Sequence, residues 1–404
     1  ILEVERTTHN RNRNLVVAAT GTGKTMIAAF AYKRFQKQNP SSKLLFIAHR
    51  KEILMQAAHS FRAVLRDNNF GSLWVDGEEP DNYAHVFASI QTLNNRLENL
   101  NLSPTYYDYI IIDECHHLTA SSYRGLIHFF TPKVLLGLTA TPERMDGGDI
   151  QEDFHNRIAA EIRLPDALNR KLLCPFQYFC LSDSVHLNQV PWERGRYVAS
   201  ELSNVYTNSE RRVREIVMAI ERYTKDINDV CALGFCVTID HARYMANKFK
   251  ELGLKADYLS SDNPENRTQV RTQLRNREIN YLFVVDIFNE GVDIPEIDTV
   301  LFLRPTESLT IFLQQLGRGL RLAENKECLT VLDFVGNSRP EYNFENKFRA
   351  IIGKTSTTVK KEIEDNFPHL PLGCSVILEK KAKDIILENI SAAIAYNRNK
   401  LIQR

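Results

Sequence analysis

The sequence predicts an α/β protein. It has two lobes, each a mostly parallel sheet flanked by helices, followed by a mainly helical C-terminal extension. Two observations predict this. Apolar runs of strand length alternate with stretches of helical periodicity over residues 15–138 and again over 230–302, the pattern of parallel strands joined by crossover helices. Several of those strands end in glycines, adjacent acids or hydroxyls, and parallel open sheets bind ligands beyond the carboxyl ends of their strands. Lobes are expected over 1–174 and 175–340, and the extension over 341–404. Ile158–Leu173 reads as the close of the first lobe and Cys174-Pro175 as the break.

The bulk properties agree. The chain has 404 residues, 43% apolar and 25% charged, enough for two or three domains with real cores. A formal net charge of +1 excludes a uniformly basic nucleic-acid binder but not a local basic cleft. The seven cysteines form no C-x-x-C pair and are odd in number, which favours free thiols in a reducing compartment, so a cytoplasmic location is expected. No apolar run has membrane-spanning length, so no membrane partner is expected. The chain begins at Ile1 rather than Met, as expected of a piece of a longer protein.

Residues 1–14 are polar and basic and lead into a first strand, Leu15–Ala19. The run Ala19-Thr20-Gly21-Thr22-Gly23-Lys24-Thr25 follows, and Met26–Phe35 has helical spacing. Strand, glycine-rich turn and helix in that order make a phosphate cradle. Thr20, Gly21, Thr22 and Gly23 bring backbone N–H groups to the anion, Lys24 reaches the β- and γ-phosphates, and Thr25 offers its hydroxyl to Mg²⁺. The general pattern asks for glycine where Ala18 stands. Strands are then expected at Lys43–Ala48, Val86–Ala88, Tyr109–Ile112 and Val134–Leu138, with helices at Lys51–Leu65 and Ser122–Phe130. His49 and Arg50 follow the second strand as donors suited to phosphate. The Tyr109–Ile112 strand runs into Asp113 and Glu114. Asp113 is placed to hold Mg²⁺ through water, and Glu114 to polarise an attacking water. Cys115-His116-His117 has consecutive ligands and no second pair at zinc spacing. Thr139-Ala140-Thr141-Pro142 reads, alone, as a capped turn.

In the second lobe a strand at Phe176–Leu181 precedes a mixed polar stretch, Ser182–Ser209. That stretch holds Trp192-Glu193-Arg194-Gly195-Arg196-Tyr197, whose aromatics either stack on bases or pack within the protein. Helix Ser209–Tyr223 has Val213, Ile216, Val217 and Ile220 on one face. Strand Val230–Cys236, helix Ile239–Leu252, strand Ala256–Leu259, helix Pro264–Arg275 and strands Tyr281–Val285 and Thr299–Phe302 follow. Asp286–Pro295 closes a buried strand; Gly291 allows a tight turn and Asp293 could accept from a ribose hydroxyl. Gln314-Gln315-Leu316-Gly317-Arg318-Gly319-Leu320-Arg321 sets Arg318 and Arg321 on one face of an expected helix, and their planar guanidiniums suit a γ-phosphate. Glu379–Gln403 is expected to be a helix with Ile385, Ile386, Ile390, Ala393 and Ile394 as its apolar stripe.

Taken together, Ala-Thr-Gly-Thr-Gly-Lys-Thr, Asp-Glu-Cys-His, Thr-Ala-Thr-Pro and Gln-x-x-Gly-Arg-x-x-Arg, in this order, resemble a superfamily-two DEAD/DEAH-like helicase. The similarity is to the branch of restriction-enzyme R subunits, and it covers roughly residues 1–340. It implies two tandem RecA-like domains, ATP and Mg²⁺ as cofactors, and the motor core of a larger bacterial protein. It implies that Phe46–Lys51 (His49, Arg50) and Ser89–Leu93 (Gln91, Thr92) contact nucleic acid. It further implies that Thr139 and Thr141 couple hydrolysis to those contacts, that Gly291 and Asp293 face nucleotide, and that Gln314 senses the phosphates while Arg318 and Arg321 approach them. The implied activity is an ATP-dependent helicase or translocase with nucleic acid as partner, and the restriction-type motors lean toward DNA. The residues alone leave open a nucleotide-gated clamp and an RNA remodeller. Any nuclease is expected outside this chain, and the adenine-reading segment upstream of Ile1.

Overall fold

The computed structural model describes residues 1–96, 102–117, 121–142, 150–259, 266–285, 294–306, 308–339 and 341–402. Two compact units divide between Arg163 and Leu164.

In the first unit the strands are β1 (Arg13–Ala18), β2 (Leu44–Ala48), β3 (Ser72–Trp74), β4 (His85–Ser89), β5 (Tyr109–Ile112), β6 (Val134–Thr139) and β7 (Ile158–Ile162). They form one parallel sheet in the order β3-β4-β2-β5-β6-β1-β7. Helices α1 (Leu2–Asn10), α2 (Lys24–Gln38), α3 (Lys51–Leu65), α4 (Ile90–Arg96) and α5 (Ser121–Phe129) complete it. The apolar runs are continuous because both faces are covered. Alternate side chains of one strand serve opposite cores: Val16 and Ala18 join Phe46 and the α2–α3 side, whereas Leu15 and Val17 join Ile47, Ile110 and α5. The polar start of the chain is not a simple lead-in, since α1 buries Val4 in the first of these cores.

The second unit repeats the plan. Its elements are α6 (Leu164–Asn169), β8 (Phe176–His186), β9 (Trp192–Glu193), β10 (Arg196–Tyr197), α7 (Ala199–Thr207), α8 (Glu210–Tyr223), β11 (Ala232–Phe235), α9 (Ile239–Glu251), β12 (Ala256–Leu259), α10 (Asn266–Arg275), β13 (Tyr281–Val284), β14 (Thr299–Phe302), α11 (Leu309–Gly319), β15 (Leu329–Asn337), α12 (Phe344–Ile352), α13 (Val359–Glu364), β16 (Ser375–Leu378) and α14 (Lys380–Ile402). The main sheet is parallel, ordered β12-β13-β11-β14-β15-β8-β16, and β9 and β10 make a separate hairpin. Val213, Ile216 and Ile220 of α8 are buried against this sheet, as their spacing requires. Pro264, Glu265 and Gln403, expected at helix ends, lie outside the described residues.

Two further features depart from the sequence reading. First, β8 runs on to His186 through residues that look like loop. Asp183 points inward there, and it persists because the Arg212 guanidinium meets it at 2.8 Å, also donates to the Leu303 carbonyl at 2.8 Å, and lies over the Tyr206 ring. Second, the mainly helical extension contributes β16 as an edge strand beside β8. It is also bolted inward by Lys347 of α12, whose ammonium donates to Asp333 at 2.6 Å with Tyr178 donating to the same oxygen at 2.6 Å.

Candidate nucleotide and nucleic-acid site

Strand order sets the layout. Along the carboxyl edge of the first sheet the neighbours β4, β2, β5, β6 and β1 end in turn at Gln91 and Thr92, at His49 and Arg50, at Asp113 and Glu114, at Thr139 to Thr141, and at Thr20 to Thr25. Four inter-strand steps separate the two extremes, about 19 Å at the usual strand spacing.

The turn after β1 is built as a cradle. Gly21 and Gly23 hold φ of +89° and +82°, which side chains rarely tolerate. Gly23 is the N-cap of α2 and supplies no side-chain cap, leaving the first N–H groups of a fifteen-residue helix for an anion. The Thr22 N–H and hydroxyl both donate to the Ala19 carbonyl, at 3.2 and 2.6 Å, which tightens the loop. The buried Thr20 hydroxyl has no hydrogen-bond partner among the described residues. The Lys24 ammonium donates to the Ala18 carbonyl at 3.3 Å and stands 3.7 Å from Glu114 Oε1. Lys24 thus lies folded over the loop, within reach of a phosphate bound there.

Asp113 is buried, its N–H bonded to the Ile47 carbonyl at 2.9 Å and its Oδ1 accepting the Glu114 N–H at 3.0 Å. Glu114 has φ of +50°, a left-handed backbone held in place by its surroundings. Its carboxylate spans Lys24 on one oxygen and His116 Nδ1, 3.3 Å away, on the other. His116, unassigned by sequence reasoning, is therefore the residue that faces Glu114; its position two residues on in a tight turn was the available signal. Cys115 turns the other way into the core, where burial and the neighbouring Glu114 and Asp113 charges push its thiol well above the usual range. Among the described residues no group of three or more His, Cys, Asp or Glu side chains could hold a metal by themselves. A single buried carboxylate beside a helix N-terminus is a donor set that fits Mg²⁺, which binds through one or two carboxylates plus substrate phosphates and water. Between β5 and β1, Thr139 donates its hydroxyl to the Thr141 carbonyl at 3.0 Å and accepts the Thr141 N–H at 3.2 Å; both residues are buried.

Farther along the same edge a cleft of about 420 Å³ is lined by His49, Lys51, Trp74, Glu78, Gln91 and Thr92, among others. Gln91 is exposed, and Thr92 is fixed by Ser89, whose hydroxyl lies 2.8 Å from the Thr92 hydroxyl and accepts the Thr92 N–H at 3.0 Å. Arg50 is the extended N-cap of α3.

In the second unit Gln314 and Arg318 are buried on α11. Arg321 corrects the expectation of a shared helical face, because α11 ends at Gly319 and Arg321 lies beyond it. Gly319 packs closely against Leu329 of β15, where a Cβ would come within 2.3 Å of Leu329 Cδ1, and the helix closes at Leu320. Sequence reasoning also missed Lys326. Its ammonium donates to the carbonyls of Gly319 (2.5 Å), Arg321 (2.9 Å) and Pro295 (3.0 Å), gathering the end of α11 and the arginine segment onto one cation. A lysine just past a helix end was the signal. Gly291 and Asp293 lie outside the described residues.

Fold and site together define a P-loop nucleotide-binding protein with two parallel α/β lobes. Residues 1–144 match the family described as type III restriction enzyme, res subunit, and residues 213–323 match the helicase conserved C-terminal domain. The chain belongs to the superfamily-two helicases, in the branch of the restriction-enzyme R subunits. It is 29% identical over 340 residues to IRC3 of Saccharomyces cerevisiae, a protein named as an ATP-dependent helicase, covering 80% of this chain and 48% of that one. It is 25% identical over 398 residues to the EcoAI endonuclease subunit of a type I restriction enzyme from Escherichia coli, covering 90% of this chain and 48% of that one. This chain thus spans about half the length of these relatives. A fragment assigned as the HsdR subunit of a type I restriction enzyme from Vibrio vulnificus shares the fold, with a TM-score of 0.66 at 18% identity over 93% of this chain and 67% of that one. The tandem RecA-like architecture is thereby established. No helix among the described residues is long and apolar enough to cross a membrane.

Proposed function

We propose that this chain is the motor core of a nucleic-acid-dependent ATPase that translocates on or unwinds DNA. The observation that carries the reading is the meeting of Lys24 and Glu114, 3.7 Å apart, at the mouth of an uncapped, glycine-lined helix N-terminus. In this reading the N–H groups of Thr20 to Gly23 and the Lys24 ammonium bind the β- and γ-phosphates of ATP. Thr25 and Asp113 hold Mg²⁺, which neutralises charge on the phosphate oxygens. Glu114 orients the attacking water and takes its proton. Gln314, Arg318 and Arg321 act on the triphosphate from the second lobe, where such guanidiniums contribute about 10³–10⁵ in rate. Gly291 and Asp293 face the nucleotide. Thr139, at the end of the strand between the cradle and the acids, and Thr141, just beyond it, relay the nucleotide state to His49, Arg50, Gln91 and Thr92, which contact backbone phosphates. The proposed division is a nucleotide-binding domain over 1–174, a second domain over 175–340 and an extension over 341–404, in which α6 packs with the second unit. DNA is favoured because restriction-enzyme subunits stand among the relatives; a nuclease module or other domain outside this chain is the further partner, and the cytoplasm the location.

The test compares steady-state ATP hydrolysis with duplex DNA, single-stranded DNA and RNA side by side. Strong stimulation by DNA is expected. A single turnover without stimulation points instead to a nucleotide-gated clamp, and stronger stimulation by RNA to an RNA remodeller.

A further inference from the structure

The aromatic and arginine motif at 192–197 has no part in the site described so far. It folds as the β9–β10 hairpin, with Trp192 opposite Tyr197 and Glu193 opposite Arg196. Its aromatics are used internally. Tyr197 is buried, its ring set edge-on to Trp192 with centroids 4.8 Å apart, and its hydroxyl accepts the Arg339 N–H at 3.0 Å. Arg339 also donates from Nε to the Val190 carbonyl at 2.9 Å, and its own carbonyl accepts from Asn389 of α14 at 2.8 Å. The base of the hairpin is therefore fixed to the end of β15 and to the extension.

The tip is different. Arg194 and Gly195 form the turn with φ of +50° and +80°. A two-residue hairpin turn with left-handed φ at both positions is filled at least cost by Asn-Gly or Asp-Gly. Arginine at the first position carries backbone strain, which points to a use for its side chain. Arg194 and Arg196 are exposed and make no hydrogen bond or ion pair among the described residues. Two exposed arginines on the helices that follow, Arg211 of α8 and Arg243 of α9, are by contrast ion-paired. Glu193, the hairpin's one carboxylate, makes no ion pair with Arg196 although it lies directly opposite.

We propose that the β9–β10 hairpin is a nucleic-acid contact of the second lobe, rigid at its base, whose two guanidiniums neutralise two backbone phosphates. Guanidiniums favour phosphate through paired N–H donors, and a phosphate contact needs no base sequence. The inference rests on the reading that the chain binds nucleic acid. It adds a site beyond the first-lobe contacts at His49, Arg50, Gln91 and Thr92.

The experiment measures binding of labelled single-stranded and duplex oligonucleotides to the full chain across a salt series. Each neutralised phosphate contributes about 0.7 to the log–log salt slope on single strands and about 0.9 on duplex. The double variant Arg194→Ala/Arg196→Ala is expected to lower the slope's magnitude by about 1.4 or about 1.8 respectively. Arg194→Lys/Arg196→Lys is expected to keep the wild-type slope, and ATP hydrolysis without nucleic acid is expected to be unchanged in both. A wild-type slope in the alanine variant, or weaker binding at an unchanged slope, overturns the proposal. Absence of binding by the wild-type chain instead removes the reading beneath it, so the two failures are distinguishable.

Discussion

Glu114→Gln separates binding from turnover, and the structure gives both directions. The change keeps the shape of the side chain and removes one charge. Lys24 and Glu114 lie 3.7 Å apart with side-chain exposures of 9% and 12%. At that separation and an effective dielectric near 20 their attraction is about 4 kcal/mol before desolvation is counted. Neutralising Glu114 releases part of that hold on the ammonium, while the Ala18 carbonyl at 3.3 Å still steadies it. If about a third of the attraction becomes available to incoming phosphates, ATP binds about tenfold tighter. In the proposed role Glu114 takes the water's proton, so its loss is expected to lower kcat by about 10²–10⁴. The assay pairs equilibrium titration with a fluorescent ATP analogue and phosphate release at saturating ATP and DNA. Lys24→Ala is the contrasting control, since it removes the phosphate contact itself and is expected to lose nucleotide binding. Weaker nucleotide binding by the Gln variant, or wild-type turnover, would refute the roles given to the pair.

Other perturbations follow from named contacts. Lys326→Met leaves the Gly319, Arg321 and Pro295 carbonyls without their shared donor, at a cost of about 1–3 kcal/mol; kcat should fall while the KM for ATP holds, and an unchanged kcat in a folded variant would show that the arginine segment does not need this anchor. Lys347→Met strands the buried Asp333 carboxylate and should destabilise the second unit by about 3–5 kcal/mol in a denaturant titration, with much of the loss recovered by adding Asp333→Asn. Asp108 is pushed up by partial burial, but the Lys133 ammonium at 2.9 Å and the Lys43 N–H bring its carboxyl below the usual range overall. Because its folded value is depressed, its contribution is present above the unfolded value of about 3.9 and disappears as pH falls through the folded one. Asp108→Asn should therefore flatten the acid side of the stability profile, and an identical profile would contradict this.

Much of the site was legible because its geometry is local. Strand, glycine turn and helix are consecutive in sequence, so the cradle of Thr20 to Thr25 could be read from hydrophobic patterning and the conformational freedom of glycine. The same holds for acids at the end of an apolar strand. Arg321 was misread because three-residue spacing places two side chains on one helical face only while the helix continues, and α11 ends at Gly319. Lys326 was missed because its three acceptors come together only once α11 and the Pro295 segment are folded side by side, and His116 because its approach to Glu114 depends on the left-handed turn at Glu114. Asp183 read as loop because a polar residue facing a core is intelligible only with its partner Arg212 in view.

The amino-acid sequence by itself determined the repeated parallel α/β plan through short-range spacing, and its motifs as a set carried the resemblance to the superfamily-two helicases. Only the tertiary structure decided which strands became neighbours. That order lines up Thr20 to Thr25, Thr139 and Thr141, Asp113 and Glu114, and His49, Arg50, Gln91 and Thr92 along one edge, and it seats the C-terminal strand beside β8. Hydrogen-bond pairing between strands is non-local, so no window of sequence contains it. The same holds for the half-buried Lys326 and the buried Lys347, whose partners come from elements distant in sequence.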